Sequence, residues 1–74
     1  MIKKLRNRKY LKTIERIEVE LSIIQGKIDY YEADLKINWD SPDVAIDSAI
    51  MLATYYNARV EKIQELLRII SKLK

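Results

Sequence analysis

The sequence predicts an all-α fold: an antiparallel two-helix hairpin, with helices at about 2–37 and 42–73, that dimerises into a four-helix bundle. Apolar residues recur at heptad spacing along two long runs, the one Pro falls between the runs, and both runs carry more apolar surface than one neighbour covers. The composition agrees. One Gly, one Pro and 34% charged residues in a chain rich in Ile, Leu, Lys and Glu suit long helices, and 74 residues suffice for one domain, residues 1–74.

The first run is Tyr10, Ile14, Ile17, Leu21, Ile24, Ile28, Tyr31 and Leu35, in alternating steps of four and three. That spacing is a coiled-coil seam. The second run is Ile46, Ala49, Ala53, Tyr56, Val60, Ile63, Leu67 and Ile70. Between them, Ser41 is placed to cap the free amides of a helix, Pro42 suits its first position and Asp43 favours the positive end of its dipole. So short a connection makes the helices antiparallel neighbours. Folding at the turn is expected to set Tyr31 against Ala49, Ile28 against Ala53, Ile24 against Tyr56 and Leu21 against Val60, large facing small. Gly26 lies inside the first helix without shifting the heptad phase, which reads as a close contact with a neighbour, not a break.

A further stripe on the first helix comprises Val19, Ile23, Gly26, Tyr30, Ala33 and Ile37, about 160° around from the seam. On the second helix, Leu52, Tyr55, Leu66 and Ile69 flank the seam. A large apolar side chain left in water forfeits roughly 1.5 to 3 kcal/mol of burial, and small chains rarely fold on one thin interface. These ten residues are therefore the expected interface with a second copy or a protein partner. Tyr31 and Tyr56 are expected in the core, and Trp39 is expected to plug the turn end of the bundle.

The formal charge of +3 conceals a segregation into basic, acidic and basic blocks. Residues 1–13, a basic arm continuous with the first helix, hold Lys3, Lys4, Arg6, Arg8, Lys9 and Lys12 and no acid. Bases at a helix N-terminus oppose the dipole, so nucleic-acid phosphate is their candidate ligand, against a solubilising role. Residues 15–47 hold nine acids and three bases, and the acids on the flanks of the first helix read as a solvated face.

With no Cys and no His, the chain has no thiol nucleophile, no soft zinc ligand and no side chain that ordinarily titrates near neutrality. Glu-x-x-His pairs, phosphate-binding glycine loops and nucleophile elbows are absent from the sequence, so the expectation is a non-enzyme without cofactor, metal or small-molecule substrate. The longest uncharged stretch, Ser48 to Ala58, is too short and too polar for a membrane span. The basic start lacks the apolar block of a secretory signal, and a cytoplasmic location is expected.

The bundle of hairpins resembles RNA-binding plasmid copy-control proteins in architecture. A hairpin with Trp39 in its turn resembles the WXG secreted helical hairpins, although Asp40 and Ser41 follow Trp39 where that family has Gly two residues on. Pro42 to Ser48 is similar to the approach to the second-helix motif of a family of small response-regulator phosphatases. Met51 and Leu52 stand where that family has Leu-Asp, so the Asp on which its activity rests is missing.

The expected function is that of a small regulatory or adaptor protein binding another macromolecule through an oligomeric bundle; its size suits an accessory factor of a phage or plasmid. A nucleic-acid binder using the basic arm is the alternative, and a WXG-like secreted hairpin the second alternative.

Overall fold

The computed structural model describes residues 2–72, with the backbone alone for residues 2–7. Two helices, α1 (Ile2–Asn38) and α2 (Pro42–Ser71), pack along their length as an antiparallel hairpin whose Cα trace measures 59 × 15 × 11 Å. The expected boundaries hold to within a residue at the turn, while Leu73 lies outside the described residues.

Pro42 occupies the start of α2 and Asp43 its first turn; Arg68 in the last turn of α2 and Lys36 in that of α1 complement the negative dipole ends. Ser41 sits at the N-cap with extended backbone (φ −107°, ψ 95°), but its hydroxyl makes no capping bond. The turn closes through the main chain instead: Ser41 N–H donates to the Asn38 carbonyl at 2.9 Å, and the Ser41 carbonyl accepts from Ala45 N–H at 2.9 Å. α1 runs unbroken through Gly26, and a Cβ there would meet nothing within 4 Å. The close contact expected at Gly26 is therefore not made within the hairpin.

The α1 seam is as expected, with Ile17 and Ile28 fully buried and Tyr10, Ile14, Leu21, Ile24, Tyr31 and Leu35 partly so. The α2 seam is not. Facing α1 are Ala45, Ser48, Leu52, Tyr55, Arg59, Lys62, Leu66 and Ile69, a heptad set one residue before the apolar run. One residue is about 100° of rotation, so the anticipated pairs of Tyr31 with Ala49 and Ile28 with Ala53 give way to others.

Polar complementarity accounts for this rotation. The Ser48 hydroxyl donates to Asp34 Oδ2 at 2.6 Å, Arg59 Nη1 donates to Gln25 Oε1 at 2.8 Å, and the Lys62 ammonium pairs with Glu20. Turning α2 by one residue would part all three pairs. Arg59 and Lys62 are half-buried in the seam, their charged ends bonded to Gln25 and Glu20. Tyr55, expected on an outer face, stacks on Tyr31 with ring centroids 5.8 Å apart and planes at 18°. Exposed Tyr30 forms a T-shaped pair with Tyr31, ring centroids 5.0 Å apart and planes at 89°.

Candidate interaction surfaces

Because α2 turns its more polar heptad face inward, its more apolar one faces out. Ile46, Val60, Ile63, Leu67 and Ile70 are 41 to 60% exposed, in phase with exposed Ala49 and Ala53 and with half-buried Tyr56. This outer stripe of α2 spans 46 to 70, about 36 Å of helix. Ile50, 58% exposed, lies at its solvent edge.

The α1 stripe anticipated from the sequence is exposed in the hairpin: Val19, Ile23, Tyr30 and Ile37 lie at 60 to 76%, with Gly26 and Ala33 also open to solvent. A shallow groove in it is lined by Ile23, Gly26, Lys27, Tyr30 and Tyr31. Leu52, Tyr55, Leu66 and Ile69, the α2 residues expected to share the outer interface, are instead turned toward α1, Leu52 being buried. An intrachain partner already covers them. Their place outside is taken by the heptad run Ile46 through Ile70, which the spacing alone sets against α1.

The two outer stripes point in different directions. The α1 stripe follows its seam by two residues and the α2 stripe follows its seam by one, so they turn by about 200° and 100° on helices of opposite sense. Viewed down the hairpin they lie about 120° apart, one behind α1 and one to the side of α2.

Charged groups line the two edges of the contact between α1 and α2. Glu20 and Glu65 sandwich Lys62 and Arg16: Arg16 Nε lies 3.5 Å from Glu20 and Arg16 Nη2 3.4 Å from Glu65, while Lys62 contacts Glu20 and lies 3.5 Å from Glu65. The Lys62 hydrogen bond holds the Glu20 carboxyl below its ordinary range, against a smaller opposing effect of burial. The same bond holds the Lys62 ammonium above its own. On the other edge the Tyr56 hydroxyl donates to Glu32, which raises the phenol, and the Arg59 guanidinium lies 4.9 Å from the Tyr56 ring centroid.

At the open end, Arg8, Lys9 and Lys12 are exposed and, with Leu11 and Glu15, line a shallow groove; exposed Arg68 and Lys72 of α2 lie at the same end. The side chains of Lys3, Lys4 and Arg6 lie outside the described residues. At the turn end Trp39 is 74% exposed and does not cover the end of the hairpin.

Among the described residues no group of three carboxylates is arranged to hold a metal ion, and no helix is long and apolar enough to cross a membrane. Comparison of the chain with protein-family models, curated proteins and solved structures gives no match.

Proposed function

We propose that this chain is a small, non-enzymatic regulatory or adaptor protein that works by protein–protein contact and assembles through its hairpins into a helical bundle. The observation that carries this reading is the pair of outer heptad stripes. A two-helix core in which, among the described residues, Ile17, Ile28 and Leu52 are the buried apolar ones leaves many large side chains wet, and each forgoes roughly 1.5 to 3 kcal/mol until something covers it. Contiguous apolar surface of this extent marks an interaction site. Two stripes facing different ways suit two tasks, self-assembly and engagement of a second protein.

The test is to purify the full chain, measure its mass in solution, and compare it with variants carrying Ile23→Lys or Tyr30→Lys on α1. An adaptor retains its oligomeric mass in those variants and loses a defined protein partner. A chain that stays monomeric, leaves hydrophobic dyes dark and captures no partner contradicts the reading.

A second reading draws on the open end, where Arg8, Lys9, Lys12, Arg68 and Lys72 gather with few acids. There the partner is DNA or RNA, and affinity falls steeply with salt because phosphate contacts release counterions. Replacing Arg8, Lys9 and Lys12 with Ala abolishes such binding and flattens its salt slope. No change in retention on DNA or RNA after these replacements contradicts it.

A further inference from the structure

We infer that the outer stripe of α2, not that of α1, joins two copies of this chain, and that α2 meets α2 antiparallel with Ala58 near the two-fold axis. This rests on the bundle-forming reading above and specifies its interface. The site requires no rearrangement, since the stripe is presented by the side chains as they stand.

Three features select this partner and this orientation. The first is size. With the axis near Ala58, Ala49 meets the second copy's Leu67, Ala53 meets its Ile63, and Tyr56 meets its Val60. Small opposes large at Ala49 and Ala53, and Ile46 meets the second copy's Ile70 at either end of the contact, a distribution that suits knobs-into-holes packing. A parallel pairing would set Ala49 on Ala49 and Leu67 on Leu67, leaving gaps at one end and crowding at the other.

The second feature is charge. The solvent edge of α2 carries exposed Asp43 and Asp47 near its start and exposed Arg68 near its end. Antiparallel pairing brings Asp47 level with the second copy's Arg68, and lays each acidic turn end beside the other copy's basic open end. Parallel pairing would stack like charges at every one of these positions. The third feature is the flank. Ile50, Asn57, Gln64 and Ser71, which border the stripe on its open side, are uncharged, and Asp43 at the turn end is the one charge in that heptad column. A second helix can lie over them without stripping water from an ion.

The α1 stripe lacks these properties. It runs only from 19 to 37, about 27 Å, and Lys27, Asp29, Asp34 and Lys36 border it. The roughly 120° between the stripes means that one two-fold contact through α2 leaves the α1 stripe uncovered.

Single cysteines test this cleanly in a chain that has none of its own. In the antiparallel pair, Asn57 faces its own counterpart near the axis, whereas Gln64 lies about 20 Å from its counterpart along the helix. On mild oxidation Asn57→Cys is expected to convert mostly to a disulfide-linked dimer, and Gln64→Cys to cross-link at least tenfold less. Sedimentation equilibrium of Ile63→Lys with Leu67→Lys is expected to give a monomer of unchanged helicity, and of Ile23→Lys a dimer. Equal cross-linking of both cysteine variants overturns the antiparallel orientation. A dimer that survives Ile63→Lys with Leu67→Lys and is lost in Ile23→Lys overturns the choice of surface while leaving bundle formation intact. A wild-type chain that is monomeric at every concentration overturns both.

Discussion

The Lys62 ammonium reaches across the hairpin to the Glu20 carboxylate, while Ile63, the next residue, stands outside with 41% of its surface in water. An ion pair has taken the inward position and an isoleucine the outward one. For an isolated hairpin that ordering wastes apolar surface, because partly exposed ion pairs contribute little. For a hairpin that meets a second helix it is consistent, because the polar seam fixes the register of α1 on α2 and the apolar stripe is kept for the partner.

The pH dependence of stability follows from this edge. Glu20 has a lowered pKa when folded, so its contribution is present above its ordinary value of 4.5 and is lost as pH falls through the lowered one. Lys62 has a raised pKa, so its contribution is present below 10.5 and is lost as pH rises through the raised value. Tyr56, raised by its bond to Glu32, behaves likewise above 10.0. Melting temperature is therefore expected to stay level through neutral pH and to fall at both extremes. In Lys62→Met the acid limb becomes shallower, and thermal melts across pH check it; an unchanged acid limb goes against the role given to the pair.

Much of this fold can be read from residue spacing alone. The α1 seam, the turn at Pro42 and the antiparallel pairing follow from heptad steps and from one residue that cannot continue a helix. The facing side of α2 does not, because counting apolar residues favours Ile46 to Ile70 over a set containing Ser48, Arg59 and Lys62. The signal that decides it is relational: Ser48, Arg59 and Lys62 recur at heptad spacing and oppose Asp34, Gln25 and Glu20 only when α2 is turned by one residue. The exposure of Trp39 is not legible for a different reason, since the size of an indole says what burial is worth and not whether one hairpin offers a surface to bury it against.

Core and outer positions on one helix are expected to separate in stability. Ile28→Ala, at a fully buried site, should cost about 2 to 5 kcal/mol. Ile23→Ala, 60% exposed, should change stability by less than about 0.5 kcal/mol. Urea melts followed by circular dichroism measure both, and equal costs would contradict the assignment of Ile28 to the seam.

Gly26 offers a test of the outward α1 face. With open space around its missing Cβ, Gly26→Ala is expected to stabilise the chain by up to about 1 kcal/mol through helix propensity alone. A lower melting temperature in this variant would mean that another chain packs closely against that glycine.

Trp39 is the sole tryptophan and reports on the turn end directly. At 74% exposure its fluorescence is expected to be red-shifted, like that of indole in water, and to be quenched readily by acrylamide. A blue-shifted, protected emission from the free protein would place Trp39 in a contact that the hairpin does not provide.

The most direct measurement is sedimentation equilibrium of the unmodified chain from micromolar to millimolar concentration. The reading of α2 as a two-sided helix predicts a reversible approach to twice the 8.8 kDa chain mass, with hydrophobic-dye binding falling as dimer forms. A single 8.8 kDa species over the whole range, melting cooperatively and binding no dye, would contradict it.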